Sequence, residues 1–399
     1  MKTPPLPPSS DRSDRSDRSS VRSVLCVLVV LWVLFVPLTA AAAAPAICDQ
    51  NTPLTLVGID TTTGEMLFSV PPLGGKPGTG WLVEIDAAGR EARAYPDPPK
   101  GLFSGSVGPG PVLSVIPCGE NCVQPMQWGH GTWKPVGEPL RTPTASNLAP
   151  TWDESGAPWL VLQGPAKPDG RSPTWAFRLK DREWNGRGPL DVLAVGQPPA
   201  LPAPQRKDGI LIGTGLFSSS GSPENWVTAV PTLEADRRGQ LVALNGSSAA
   251  YLSADGVVYL SDDSGKKWRR STWTPWGAPE IVGSWLQGKD YWVDMAFGSQ
   301  LGGLRLIWYD RRVPSQGERI LLTRLTPGGG WATLAEAPSD IRSKNGDHLQ
   351  IAHVVVPKGD AWLLLSGCVA TAQGSGVVVR SFDGKALSDP RFVAFSTGR

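Results

Sequence analysis

The sequence predicts an all-β fold made of repeated four-stranded units, and three observations carry that expectation. From about Cys48 onward the chain consists of short alternating apolar runs broken by Gly, Pro, Asn and Asp, with no long stretch of helical periodicity. Of the 17 tryptophans, 16 lie beyond residue 46, and runs such as Trp362-Leu-Leu-Leu365 need burial, so the abundant Gly and Pro mark turns in a folded chain rather than disorder. A polar turn leading into Trp or Ala recurs at Gly89-Arg-Glu-Ala92, Gly131-Thr-Trp133, Asp181-Arg-Glu-Trp184, Gly265-Lys-Lys-Trp268, Gly329-Gly-Trp331 and Asp383-Gly-Lys-Ala386, in steps of 41, 51, 84, 63 and 55 residues.

The 84-residue step is wide enough for one further degenerate copy, around Pro223-Glu-Asn-Trp226. That reading gives seven units of roughly 50 residues, although six would also be tolerated. Four-stranded sheets of this period, packed face against face in a ring, make a β-propeller, an arrangement that protects the sheet edges. The expected organisation is a leader over residues 1–46 and a single propeller domain over 47–399.

The leader opens with charged Asp-Arg-Ser repeats at 11–19, a low-complexity stretch with no core to bury. Arg22 then introduces an apolar run from Val24 to Leu38, followed by the alanines up to Ala46. This pattern is expected of a secretory signal, with Ala44-Pro45-Ala46 as an Ala-x-Ala cleavage site that leaves Ile47 as the new terminus. The alternative is a retained membrane anchor over residues 24–46. The expected location is extracytoplasmic, secreted or periplasmic, with membrane attachment only if the leader is kept.

Residues 1–46 contain five basic and three acidic residues, so the remainder carries 33 of each and is formally neutral. Neutrality argues against nucleic acid, whose phosphates call for a basic surplus. Beyond Cys26 in the leader, four cysteines remain, an even number in a chain expected to be exported. Of the three connectivities, the favoured one joins Cys118 to Cys122 across the Pro-Cys-Gly-Glu-Asn-Cys turn and Cys48 to Cys368 across the two chain ends. A zinc site is disfavoured, because His130, His348 and His353 form no cluster with these cysteines, and Val354-Val-Val places His348 and His353 on a strand. No metal and no cofactor are expected.

Residues 261–268 read Ser-Asp-Asp-Ser-Gly-Lys-Lys-Trp, a full S-x-D-x-G-x-x-W match. Its parts have separable physical tasks. Ser261 is a fixed position of the pattern, Asp263 accepts backbone N–H bonds within a turn, Gly265 permits its tight backbone, and Trp268 anchors the following strand. The octapeptide resembles the Asp-box of sialidase-superfamily propellers, the bacterial neuraminidase repeat. A second segment, with Trp308-Tyr-Asp-Arg311, Arg319-Ile-Leu-Leu-Thr-Arg324 and Thr326-Pro-Gly-Gly-Gly-Trp331, resembles a neighbouring, degenerate blade. The likeness covers roughly residues 250 to 335 and elsewhere rests on period alone.

The resemblance implies a search for three arginines on a carboxylate, a Tyr nucleophile activated by Glu, and an Asp acid/base. No Phe/Tyr-Arg-Ile-Pro occurs between Cys48 and Gly101, and Phe177-Arg178-Leu179-Lys180 lacks the proline. None of Tyr95, Tyr251, Tyr259, Tyr291 and Tyr309 falls in a recognisable family motif. No catalytic residue is therefore assigned. The candidate ligand residues are Asp310, Arg311 and Arg312, charged groups that follow an apolar strand, and Asp294 as a weaker companion, with structural ion pairing as the competing reading. The expected function is a non-catalytic binding module for a glycan or an extracytoplasmic protein. The alternatives are a divergent exo-sialidase or other glycoside hydrolase, and a scaffold propeller.

Overall fold

A computed structural model describes residues 46–49, 52–73, 80–96, 98–99, 105–129, 131–142, 147–193, 201–202, 207–212, 215–225, 239–243, 249–253, 258–263, 266–270, 291–295, 297–298, 305–310, 319–325, 331–338, 340–342, 348–356 and 361–397. The chain divides into Met1–Pro45, which lies outside these residues, and Ala46–Arg399. Every regular element among the described residues is a strand.

The strands form five sheets of four and one sheet of eleven. Thr55–Asp60, Met66–Val70, Trp81–Ile85 and Ala92–Pro96 make the first antiparallel meander. In the second sheet, Cys122–Gly129 pairs with Leu113–Gly119 on one side and with both Thr132–Pro135 and Leu140–Arg141 on the other. The third runs Asn147–Trp152, Pro158–Gln163, Arg171–Lys180, Glu183–Leu193. Three more four-stranded sheets follow, the fourth built around Gly209–Ile212 and Gly215–Ser218, the fifth around Ala249–Ser253 and Val258–Ser261, the sixth around Arg305–Asp310 and Arg319–Leu325. The last meander contains His348–Val356, Trp362–Thr371, Gly374–Phe382 and Arg391–Thr397.

Alternation places apolar residues on both faces of the inner strands, and these faces bury against neighbouring sheets. Leu67 and Leu82 of the first meander meet Val112 and Trp128 of the second. Val115 and Val123 meet Leu160 of the third, and Trp159, Val161 and Val192 of the third meet Ile210, Ile212 and Phe217 of the fourth. Ile320 and Leu322 of the sixth pack on Trp362, Leu364 and Phe382 of the last. Met66, Phe68, Val83 and Ile85 of the first then share a core with Leu363, Leu365, Val377, Val379 and Phe395 of the last. Four-stranded meanders stacked in chain order, with the last returned to the first, constitute a β-propeller.

Three kinds of bond reinforce the return. Arg391–Thr397 pairs in parallel with Ala92–Pro96, Phe395 standing opposite Ala92, which merges the two meanders into the eleven-stranded sheet. Thr52 and Cys368 exchange backbone hydrogen bonds of 3.0 and 2.8 Å, and Ser375 Oγ accepts from the Ile47 amide at 3.0 Å. Cys48 and Cys368 form a disulfide across 320 residues of sequence, and Cys118 bonds to Cys122. The recurring polar turns read from the sequence sit before the outermost strands. Ala92 and Trp331 open such strands, Trp133 and Trp184 are second residues, and Trp268 directly precedes Arg269–Arg270. Glu224–Asn225 likewise closes the fourth sheet, inside the wide 84-residue step.

His353 lies at the junction on the strand His348–Val356, its ring 5.4 Å from that of Phe68, and donates from Nε2 to the Leu54 carbonyl at 2.7 Å. Burial pushes its pKa below the ordinary histidine value of 6.5, more than the Leu54 bond raises it. The unfolded chain therefore binds the proton more readily than the folded one does. Stability is expected to be complete above pH 6.5 and to fall as pH drops through the lowered folded pKa. A His353→Phe variant should flatten this acid limb in thermal unfolding followed between pH 7.5 and 5. Separately, replacing both Cys48 and Cys368 by Ser should lower unfolding free energy by about 6 kcal/mol, against about 2 kcal/mol for the Cys118 and Cys122 pair, on the chain-entropy estimate. Urea titration of the two double variants checks the difference.

Candidate binding cleft

Residues 261–268 fall between Val258–Ser261 and Arg269–Arg270, the last two strands of the fifth sheet. Ser261 Oγ donates to Asp263 Oδ1 at 2.9 Å, and the Lys267 amide donates to the same oxygen at 2.8 Å. The Lys267 bond is the largest cause holding the Asp263 carboxyl below its usual range. Gly265 lies outside the described residues, and Trp268 is half-buried. The same chemistry recurs without the full motif. Asp86 accepts from the Arg90 and Glu91 amides, Asp383 from Lys385 and Ala386, and Asp60 from Thr62 and Thr63. Each carboxylate neutralises amides that a turn would otherwise leave unpaired, so these aspartates shape hairpins.

Of the candidate ligand residues, Asp310 ends the strand Arg305–Asp310 opposite Tyr291, and Asp294 stands opposite Ile307, three positions back along the same pair. Arg311 and Arg312 lie outside the described residues. Tyr251 and Tyr259 are cross-strand partners in the fifth sheet. Among the described residues no group of three His, Cys, Asp or Glu side chains is placed to hold a metal ion, and no helix is long and apolar enough to cross a membrane.

A cavity of about 580 Å³ lies elsewhere, between the first and second sheets. Its walls include Glu84 and Arg93 on adjacent strands, where they are cross-strand partners. Tyr95 stands two residues beyond Arg93, on the same face by strand alternation, and Trp128 comes from the second sheet. Trp128 donates from Nε1 to Glu84 Oε2 at 2.6 Å, which orients the carboxylate. The Tyr95 and Trp128 rings meet edge to face at 5.1 Å, and Trp133 continues the stack at 5.3 Å from Trp128. Burial raises the Tyr95 phenol above its ordinary pKa of 10.0, and the Glu84 charge raises it further, against the smaller opposing effect of Arg93. Tyr95 is thus a protonated hydroxyl at neutral pH. Gly131 allows this approach: a Cβ there would fall 2.5 Å from the Tyr95 ring. Asp60 and Glu65 add acidity to the walls. The arrangement combines an aromatic surface with fixed acceptors and one guanidinium, as suits a polar ligand with hydroxyl groups.

Arg178, part of the weak Phe177-Arg178-Leu179-Lys180 match, has a structural partner. Its Nε donates to Asp153 Oδ2 at 2.9 Å, and Asp153 is fully buried. Asp153 also accepts from Trp159 Nε1 at 2.9 Å and from the Ser155 and Ala157 amides. The carboxylate thus ties the hairpin turn, the core indole and a guanidinium together. Asp153-Glu-Ser-Gly156 is a turn signal that could have been read from sequence, but its link to Arg178 spans 25 residues and two strands.

No protein-family model matches the chain, and no curated protein does. Solved structures with a similar course include an acylaminoacyl peptidase of Pyrococcus horikoshii, at 11% identity and a TM-score of 0.45, matched over 86% of this chain and 52% of the peptidase. The chain therefore spans about half the length of that protein. The SapL1 lectin in complex with alpha methyl fucoside is 8% identical, with 87% and 98% of the two chains covered and a TM-score of 0.40. The WD40 domain of SCAP from fission yeast is 9% identical, with 87% and 89% covered and a TM-score of 0.41.

Asp153→Ala should be severely destabilising, since it leaves a buried indole N–H and the Arg178 charge without their acceptor. A loss of about 3 kcal/mol is expected in urea unfolding, with Arg178→Gln costing less because Asp153 keeps its amide and indole donors.

Proposed function

We propose that this chain is a non-catalytic binding module of the Asp-box type, acting outside the cytoplasm, and that it takes a glycan in the cleft between its first and second sheets. The observation that supports this most is the pairing of the Tyr95 and Trp128 rings with a Glu84 carboxylate oriented by the indole N–H. Sugars present both an apolar C–H face and a fan of hydroxyls, and the cleft offers an aromatic surface, carboxylate acceptors and the Arg93 guanidinium within one volume of about 580 Å³. That volume lies inside the common range for ligand pockets, about 300 to 1,000 Å³. The matched cationic and anionic totals of residues 47–399 are consistent with a ligand of low charge.

A second reading has an observation of its own. Glu84 acts on Tyr95 within the cleft, the two residue types that the sialidase resemblance implies for an activated nucleophile. Against it, burial and the Glu84 charge both disfavour the phenolate that would attack, and among the described residues one arginine, Arg93, lines this cavity where the resemblance implies three.

Titration of the full chain with a panel of neutral and acidic oligosaccharides, followed by tryptophan fluorescence, tests the proposal. Saturable binding is expected, weakened about tenfold or more by Glu84→Gln and by Tyr95→Ala, the loss of one to two hydrogen bonds to a charged or aromatic partner. Absence of saturable binding to every sugar, or variants that bind like the parent, would overturn it. Turnover of a fluorogenic sialoside that disappears in Tyr95→Phe would establish the hydrolase instead.

A further inference from the structure

A second cavity, of about 240 Å³, opens between the third and fourth sheets and is lined by Trp159, Arg178, Lys180, Asn185, Arg187 and Ser219. The geometry points to an anion-binding site here, for a sulfate- or phosphate-type oxyanion. It is separate from the glycan cleft in position and in chemistry. Arg178 and Lys180 are two residues apart on Arg171–Lys180, so strand alternation sends both to one face. Asn185 and Arg187 are likewise two apart on Glu183–Leu193, and Asn185 stands opposite Arg178 in the register. Three cationic side chains and one amide therefore converge from a single hairpin onto one face, and the fourth sheet supplies the far wall.

The two arginines are held rather than loose. Arg187 donates from Nη2 to the Ser219 carbonyl across the gap between sheets at 2.8 Å and from Nη1 to the Gly186 carbonyl at 3.3 Å, so both fixed partners are neutral. Arg178 is aimed by Asp153 on Nε and by Ser155 Oγ on Nη2, both at 2.9 Å, and among the described residues Nη1 has no acceptor. The facing acids are Asp153, already shared among Arg178, the indole and two amides, and Asp208, whose carboxylate accepts from Ser219 Oγ at 2.6 Å. Lys180 is exposed at the hairpin end, beside its cross-strand neighbour Glu183. The described lining therefore carries three cations and no acid, with Asp153, Asp208 and Glu183 as the carboxylates beside it, in a domain of zero formal charge.

The donor set favours a tetrahedral oxyanion over a carboxylate. Two guanidinium groups, an ammonium and an amide present more N–H donors than two oxygens accept, whereas a sulfate or phosphate group exposes at least three oxygens in different directions. A volume below about 300 Å³ suits the anionic group and its point of attachment rather than a large ligand.

Thermal unfolding of the full chain in sodium sulfate, sodium phosphate and sodium acetate, each against sodium chloride at equal ionic strength, tests this. Sulfate or phosphate should raise the midpoint saturably and acetate should not, while glucose 6-sulfate and glucose 6-phosphate distinguish the source of the group. Lys180→Gln and Arg187→Gln should each weaken the response about tenfold, equivalent to about 1.4 kcal/mol. Glu84→Gln should leave it unchanged, so failure of the glycan proposal and failure of this one are separable. Equal responses to all the salts, a response confined to acetate, or unaltered responses in both cation variants would overturn the assignment. Lys180 is exposed at the end of a hairpin, so its replacement tests the site even if the Arg187 variant fails to fold.

Discussion

The joining of the last meander to the first is the constraint on which the remainder of this structure depends. A series of four-stranded sheets packed face to face leaves an apolar face at each end unless the series closes. Here the end faces are buried against one another, with Phe68, Val83 and Ile85 from one end and Leu363, Val379 and Phe395 from the other. The parallel pairing of Phe395 with Ala92 and the Cys48–Cys368 bond hold that contact in place. Because the disulfide spans 320 residues, its effect falls mainly on the unfolded chain, whose freedom it restricts.

Closure buries the sheet faces, and cavities remain between neighbouring sheets. The two cavities follow this logic: one separates the first and second sheets, the other the third and fourth. Their walls differ in charge. Glu84, Asp60 and Glu65 dominate the first, and Arg178, Lys180 and Arg187 the second. The same scaffold thereby offers two chemistries, while its buried apolar faces serve only to hold the sheets together.

The aspartate turns show how one local device is reused. Asp86, Asp263 and Asp383 bind amides in hairpins leading towards outermost strands, whereas Asp60 and Asp153 do so between the first two strands of their sheets. Only the copy at 261–268 keeps every position of the sequence pattern. The physical requirement is an acceptor beside two or three free amides, and a lone Asp near a glycine meets it. The full motif is therefore a sufficient sign of such a turn and an unnecessary one.

What was legible in the sequence is local or countable. Alternation specified strands, Asp and Gly specified turns, and an even set of cysteines after residue 46 allowed the two pairings that the structure contains. The strand signal around His348 and His353 corresponds to the strand His348–Val356, on which His353 is a packed donor to Leu54. The sites were not legible. Tyr95 and Arg178 were both visible as residues, yet neither carried a motif, because their partners lie on other strands. Trp128 reaches Glu84 over 44 residues, and Arg187 reaches Ser219 over 32. Sequence by itself determined the repeating unit, since backbone pairing and turn chemistry act between near neighbours. Only the tertiary structure decided which sheet faces meet, and with them which side chains share a cavity, because that choice depends on packing between units far apart in the chain.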